Sequence, residues 1–188
     1  LRDARDAAAN AAGFQITSVT IGGSTEVARE EILAAAGVSG TSSLLFLDAQ
    51  SARTRLKANP WIADATILKL YPGRLHIAIT ERKGFAIWQK DNRVSVISAD
   101  GTVLQTFVDP RFAHLPLVVG AGAETQASEF LALADRYPAI RDQVRAYVLV
   151  AERRWNLRLK SGIDIRLPEI EPARALDALV ALDRDRKL

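Results

Sequence analysis

The order of hydrophobic patterns along the 188 residues predicts an α+β fold built from two modules. Residues 14–82 have the pattern strand, helix, helix, strand, strand. Residues 83–188 have the pattern of a mixed α/β domain, with short strands in a mainly antiparallel sheet and two helices. Residues 1–13 are rich in alanine, with interspersed arginine and aspartate, and are predicted to form a tether, or a frayed helix, ahead of the first module.

The first module begins with a strand from Phe14 to Ile21, a run rich in residues that favour strands. A helix is predicted over 25–36, because apolar residues recur there with helical spacing, and Gly37 provides a natural stop. A second helix should start after Asp48, whose side chain suits an N-cap. It should end before Pro60, because the residue preceding a proline disfavours the helical backbone.

Two strand-like runs, 65–71 and 74–82, flank the turn signal Pro72-Gly73. If the loop has two residues, Leu70 lies opposite Leu75 in an antiparallel pair. Because side chains alternate between the two faces of a strand, this register predicts one shared apolar face. The residues expected on that face are Leu68, Leu70, Leu75, Ile77 and Ile79.

Short strands separated by turn signals dominate the second module. Ala99-Asp100-Gly101 predicts a hairpin, and Pro138 should end the helix predicted over 124–137. From Trp155 onward, apolar and polar residues alternate, which is typical of a half-buried strand. The predicted strands are 85–88, 93–97, 102–107, 116–119, 146–150, 155–160 and 163–167, and the final helix is 168–188.

Composition narrows the class of protein. Lys and Arg total 25 against 22 Asp and Glu, and a net charge of +3 without a basic cluster predicts no nucleic-acid partner. The absence of cysteine removes disulfides, thiol catalysis and Cys-bound metals. No apolar run reaches the roughly 18–20 residues that span a bilayer. Because the chain has no Met and starts at Leu1, we expect it to belong to a longer protein, with any membrane anchor upstream.

No arrangement of residues in the sequence points to catalysis. The two histidines, His76 and His114, have no ligand spacing with each other or with paired carboxylates. The acidic residues are dispersed, and the glycines match neither a dinucleotide-binding loop nor a P-loop. A GxSxG nucleophile motif is also missing. The sequence therefore predicts a protein without catalytic residues, metal or cofactor, which acts by binding other proteins.

The candidate partner-binding residues are Arg153, Arg154 and Trp155. Arginine next to tryptophan is a composition enriched at interface hot spots. Two other interpretations stay open. Trp155, like Trp61 and Trp88, can be a core residue, and an exposed arginine pair can be simply solvated. A fold with several short strands also leaves sheet edges, and an uncovered edge can accept a partner's strand through backbone hydrogen bonds.

Short motifs follow one another in a characteristic order along the chain. The first group is Asn59-Pro60-Trp61-Ile62, Ala65-x-Ile67, Tyr71-Pro72, Leu75-x-Ile77-x-Ile79, Glu81-Arg82 and Ala86-x-Trp88. The second group is Ile97-Ser98-Ala99-Asp100-Gly101-x-Val103, Leu115-Pro116, Arg153-Arg154-Trp155-x-Leu157 and Leu167-Pro168. Together they resemble the FtsQ/DivIB family of bacterial cell-division proteins over residues 14–188. The resemblance implies a POTRA domain (β-α-α-β-β) at 14–82 and an FtsQ-type β-domain at 83–188.

The resemblance also implies a function. Members of the family are scaffolds of the division complex, held in the cell inner membrane by one helix, with these two domains in the periplasm. They bind the small coiled-coil proteins FtsB and FtsL, and Arg153 and Arg154 match the family's basic pair. The family pattern continues past the last helix with one or two strands that supply an edge for a partner strand. This chain stops at Leu188, so we expect part of the partner site to be missing.

There are two alternatives to the scaffold role, and the second of them belongs to another class, the enzymes. A POTRA-bearing module of an outer-membrane assembly or secretion protein shares the strand–helix–helix–strand–strand order. Its usual signature is tandem POTRA repeats or the alternating strands of a barrel, and the sequence has neither. A cell-wall hydrolase needs a constellation of His with Asp or Glu, and the sequence offers none.

Overall fold

The computed structural model describes residues 2–186, which divide into two compact units, one ending at Arg82 and the other starting at Lys83. Each unit combines helices with a sheet, so the predicted α+β class is confirmed. The strands are β1 Ser18–Gly22, β2 Ile62–Leu70, β3 Arg74–Glu81, β4 Ala86–Lys90, β5 Arg93–Ile97, β6 Val103–Gln105, β7 Leu117–Val119, β8 Val144–Val150, β9 Arg154–Leu159 and β10 Asp164–Arg166. The helices are α1 Arg2–Ala9, α2 Arg29–Ala36, α3 Ala49–Leu56, α4 Ala123–Ala134, α5 Pro138–Arg141 and α6 Pro172–Arg186, with short helical turns at Asn10–Phe14 and Pro110–Phe112.

The first unit contains a three-stranded sheet in the order β1-β3-β2, with β1 parallel and β2 antiparallel to β3. The predicted caps are confirmed. Gly37 ends α2 with a left-handed backbone (φ 72°), and the Asp48 carboxylate accepts hydrogen bonds from the first backbone amides of α3. The core between helices and sheet contains Ile32, Leu44, Ala52, Leu56, Ile62, Leu75 and Ile77.

The β2–β3 hairpin differs from the prediction by one residue. Its loop contains three residues, 71–73, and Leu70 lies opposite Arg74 instead of Leu75. A slip of one residue moves a side chain to the other face of the sheet. Leu68 and Leu70 are accordingly 48% and 43% exposed, and the prediction that they share the core face is wrong. The prediction is confirmed for the three buried residues of β3, Leu75, Ile77 and Ile79.

Helix α2 begins at Arg29, later than predicted, because Glu81 on β3 binds the backbone amides that precede the helix. The Glu81 carboxylate accepts hydrogen bonds from the backbone N–H groups of Thr25 (2.9 Å), Glu26 (3.0 Å) and Val27 (2.9 Å). The Thr25 hydroxyl adds a fourth at 2.7 Å. Burial raises the pKa of Glu81, but these hydrogen bonds outweigh it and hold the pKa below its usual value.

The second unit contains a seven-stranded sheet in the order β10-β9-β8-β7-β4-β5-β6. Strand β7 runs parallel to β4 and β8, and the remaining neighbours are antiparallel, so the sheet is mainly antiparallel as predicted. The hairpin predicted at 99–101 is confirmed by the antiparallel pairing of β5 with β6. Helices α4 and α6 share one core with the sheet, which includes Phe130, Leu131, Tyr147, Trp155, Leu157, Leu176 and Leu179.

The C-terminal helix α6 starts at Pro172, four residues after the predicted Pro168. Residues 187 and 188 of that predicted helix lie outside the described part of the chain. Within residues 2–186, no helix combines the length and the apolar character that a bilayer span requires.

Candidate partner-binding site

Strand β9 carries the predicted site residues and is anchored in the core of the second unit. Trp155 is 7% exposed and stacks on Phe130 of α4, with ring centroids 4.6 Å apart and planes inclined by 13°. Leu157 and Leu159 are buried on the same face. Trp155 therefore offers little surface to a partner, and its ring fixes the position of the strand.

Arg153 lies in the turn before β9, and Arg154 is the first residue of the strand. The turn is tight, because Ala151 and Glu152 both adopt left-handed backbone angles (φ 53° and 56°) and the Arg153 N–H bonds to the Val150 carbonyl at 3.2 Å. Arg153 is exposed, whereas Arg154 is half-buried. The structure thus places two consecutive cations at the corner between β8 and β9.

A cleft of about 500 Å³ lies beside this corner and contains a third arginine, Arg166 of β10. Its other lining residues include Val150, Leu167 and Pro168, which are apolar, and one acid, Glu169. Among the residues that the structure describes, none of the three arginines forms an ion pair. The Nε of Arg154 is also buried without a hydrogen-bond partner in that part of the chain. The cleft can therefore accept an anionic or hydrogen-bonding group.

Strand β10 forms one edge of the sheet and leaves backbone groups open next to the cleft. The Ile163 carbonyl accepts from the Leu159 N–H at 2.8 Å, and the Leu167 N–H donates to the Trp155 carbonyl at 3.1 Å. Because backbone groups alternate in direction along an antiparallel pair, those of residues 164 and 166 point away from β9. An extended segment of another chain can pair with them.

An ion pair fastens β10 to its neighbour. The Arg158 Nε lies 2.9 Å from the Asp164 Oδ1, and the hydrogen bond from Arg158 lowers the pKa of the Asp164 carboxyl. Both side chains are about half exposed, so this pair adds little stability, and the position of the edge depends on the core beneath β9.

The histidines do not contribute to this site. His76 is half-buried on the open face of the first unit's sheet, and His114 is exposed in a loop of the second unit. Across the described residues, no group of three or more His, Asp or Glu side chains is arranged to hold a metal ion. Sequence reasoning missed Arg166 and the outward backbone of β10, because both depend on the pairing of β10 with β9. The alternation of apolar and polar residues over 163–167, which predicts a strand, was the signal that the sequence offered.

Comparison with known proteins assigns the family. The C-terminal model of cell division protein FtsQ/DivIB matches residues 86–188, and the FtsQ-type POTRA model matches residues 14–82. The chain belongs to the FtsQ/DivIB family. This membership confirms the resemblance drawn from the motif order, including a POTRA-type N-terminal part with the order β-α-α-β-β.

Curated relatives agree with this family. Cell division protein FtsQ of Bradyrhizobium diazoefficiens is 60% identical over 188 residues, covering all of this chain and 55% of that protein. The FtsQ proteins of Rhizobium meliloti and Caulobacter vibrioides are 40% and 39% identical, over 95% and 94% of this chain. The matched regions make up 58% and 59% of those two proteins, so the chain spans little more than half the length of these relatives.

A solved structure of the major extracytoplasmic domain of the cell division protein DivIB from Geobacillus stearothermophilus is also similar. It aligns with a TM-score of 0.38 at 17% sequence identity, covering 58% of this chain and 98% of that one.

Proposed function

We propose that this chain is a non-enzymatic scaffold of the bacterial division complex and binds small division proteins of the FtsB and FtsL type. Membership of a family of cell-division proteins supports this role. The observation that carries the proposed mode of binding is the open backbone edge of β10 beside a cleft with three arginines. Such a site binds through backbone hydrogen bonds and charge, and it needs no catalytic residue.

In the proposed complex, a partner strand pairs with the outward backbone groups of residues 164 and 166 and extends the sheet. Acidic side chains of that strand contact Arg153, Arg154 and Arg166, while its apolar residues cover Val150 and Pro168 of the cleft. Backbone pairing supplies affinity without sequence selection. The arginines orient the partner and speed association by electrostatic attraction.

We also propose that the longer protein carries a membrane helix upstream, with residues 14–186 in the periplasm at the division site. The family resemblance supports this location. It also implies further strands after α6.

The test is a titration of the chain, and of a longer form that continues past Leu188, with extracytoplasmic segments of FtsB- and FtsL-type proteins. Isothermal calorimetry supplies the dissociation constant. We expect the double variant Arg153→Glu, Arg154→Glu to bind at least about tenfold more weakly, since each reversed charge replaces an attraction to an acidic segment by repulsion.

A matched double variant, Arg93→Glu with Arg136→Glu, changes the net charge equally at exposed positions outside the cleft. It should bind like the unmodified chain at physiological salt, because distant surface charges are screened. Equal weakening by both double variants would assign the effect to net charge. Failure of the folded longer form to bind either segment would refute the scaffold proposal.

A further inference from the structure

A cavity of about 870 Å³ opens at one end of the second unit's sheet. Its wall includes the loop that leads into β7, the C-terminal ends of α4 and α5 and the first residues of β8. Leu117 and Tyr147 lie on opposite faces of the sheet, because Tyr147 pairs with Val118, so the cavity extends around the start of β7. None of its lining residues belongs to the cleft beside β10. Its size and its partly apolar lining are those of a small-ligand site. The apolar residues include Phe85, Leu115, Pro116, Leu117 and Val144.

A buried tyrosine of this cavity has an unused hydroxyl group. Tyr147 is 4% exposed, and its ring packs edge to face on Phe130 of α4, with centroids 5.9 Å apart. The hydroxyl forms no hydrogen bond with any residue of the described chain. Burial, together with the charges of Asp135 and Asp142, raises the pKa of Tyr147 to about 12, so the hydroxyl stays protonated at neutral pH. Both carboxylates line the cavity, as Tyr147 itself does. Tyr147 therefore offers the cavity a hydrogen-bond donor that the fold does not use.

Two cations of the cavity wall form no ion pair with residues 2–186, Arg145 and Lys160. Arg145 lies where the register between β8 and β9 shifts, and such a bulge redirects a side chain. Its guanidinium is exposed. The Lys160 ammonium donates one hydrogen bond, to the Asp142 carbonyl at 2.7 Å, and an ammonium has three donors. Both side chains can therefore donate to a ligand.

The two acids of the cavity wall are already bound by a third cation. The Arg141 guanidinium lies 3.3 Å from the Asp135 Oδ1 and 2.9 Å from the Asp142 Oδ1, so one arginine bridges both carboxylates. The lining as a whole contains one more cation than it contains acids. The donors that remain favour a ligand with a carboxylate, because hydrogen bonds between charged groups are the stronger ones.

We propose that this cavity binds an apolar group that carries a single carboxylate. The apolar part contacts the side chains around the start of β7, and the carboxylate accepts hydrogen bonds from the Tyr147 hydroxyl and the Arg145 guanidinium. Lys160 adds electrostatic attraction. A free small acid has this chemistry, and so does the C-terminal residue of a polypeptide whose last side chain is apolar. The site is separate from the cleft beside β10 and goes beyond the proposed scaffold function.

The experiment is a titration of the isotope-labelled 188-residue chain with hydrocinnamate, followed through its backbone amide resonances by NMR. We expect shifts at the residues that line the cavity, and an affinity at least about fivefold higher than for the neutral hydrocinnamide. An acetylated triglycyl-phenylalanine peptide with a free C-terminus identifies the source of the ligand. Tighter binding of this peptide than of hydrocinnamate assigns the site to a chain end, and the reverse order assigns it to a small acid. Equal affinity for acid and amide, or no shifts at the cavity, would overturn the proposal.

Two variants test the named donors. Arg145→Gln should weaken hydrocinnamate binding by about fivefold and leave hydrocinnamide binding unchanged, because it removes only the charge. Tyr147→Phe should weaken both, since the hydroxyl can donate to either carbonyl group, and should keep the melting temperature of the unmodified chain. The matched controls Arg74→Gln and Tyr71→Phe make the same changes at exposed positions that do not line the cavity, and should bind like the unmodified chain. Unchanged hydrocinnamate affinity in the cavity variants, or equal losses in the controls, would overturn the proposal. The FtsB/FtsL titration uses other residues, so the two proposals fail separately.

Discussion

Glu81 lies at the centre of the first unit's architecture, and the substitution Glu81→Gln should destabilise that unit by about 2–3 kcal/mol. The carboxylate accepts four hydrogen bonds from residues 25–27, through both of its oxygens. Glutamine keeps one acceptor and turns an NH₂ group toward backbone N–H donors. About two charge-assisted bonds are lost, each contributing on the order of 1–1.5 kcal/mol when partly exposed to solvent. For a unit of this size the loss lowers the melting temperature by on the order of 10 °C.

The same substitution should remove a dependence of stability on pH. The folded-state pKa of Glu81 lies below its usual value of 4.5, so the folded state favours the ionised carboxyl. The stabilisation is complete above the unfolded pKa and is lost as the pH falls through the folded pKa. The difference in unfolding free energy between the unmodified chain and Glu81→Gln should therefore be full at pH 7 and shrink as the pH falls below 4.5 and through the folded-state pKa of Glu81.

Urea unfolding at several pH values measures these differences, and hydrogen exchange of peptides from residues 2–82 assigns them to the first unit. Glu129→Gln is the control, because Glu129 is exposed on α4 and makes no hydrogen bond or ion pair with the described residues. It should change the unfolding free energy by less than about 0.5 kcal/mol. If Glu81→Gln unfolds at the same urea concentration as the unmodified chain at pH 7, the proposed role of the carboxylate is refuted.

Two further predictions concern packing. Gly101 has a φ of 82°, and a Cβ there would lie 2.7 Å from the Glu124 carbonyl oxygen, so Gly101→Ala should lower the free energy of unfolding by about 2 kcal/mol or more. Gly162 has a φ of 90° but open space around it, so Gly162→Ala should lower that free energy by only about 1 kcal/mol. Urea unfolding measures both differences. Ile77→Ala should destabilise by about 2–5 kcal/mol, because Ile77 is fully buried, and Leu68→Ala by less than about 0.5 kcal/mol. Equal costs for the last two variants would contradict the three-residue loop of the β2–β3 hairpin.

Features determined by neighbouring residues were predictable from the sequence. Asp48 precedes a helical pattern and caps it, and Gly37 ends another helix, because caps depend on a few adjacent residues. The buried strand around Trp155 follows equally from alternation. The order of the ten strands and the α+β class could therefore be derived before the structure was known, whereas the short helix α5, which begins at Pro138, was not predicted.

Features determined by distant residues were not predictable. Helix α2 starts late because of Glu81, which lies 56 residues after Thr25 in the sequence. The register of the β2–β3 hairpin depends on the length of its loop. A two-residue loop would pair Leu70 with Leu75, whereas the three-residue loop of the structure pairs Leu70 with Arg74. In the candidate site, two arginines were visible as neighbours in sequence, whereas Arg166 joins them only through strand pairing.

Strand β9 links the stability of the second unit to the geometry of its candidate binding surface. Trp155 points into the core, and the residue before it, Arg154, lines the cleft, so the ring that stabilises the strand also fixes the cation next to it. The exposed Arg158–Asp164 pair is too weak to hold the edge alone. Loss of partner binding after Trp155→Ala would therefore report a displaced or unfolded strand, whereas loss after Arg153→Glu with Arg154→Glu in a stable protein would report contact. Only the second result locates the interface.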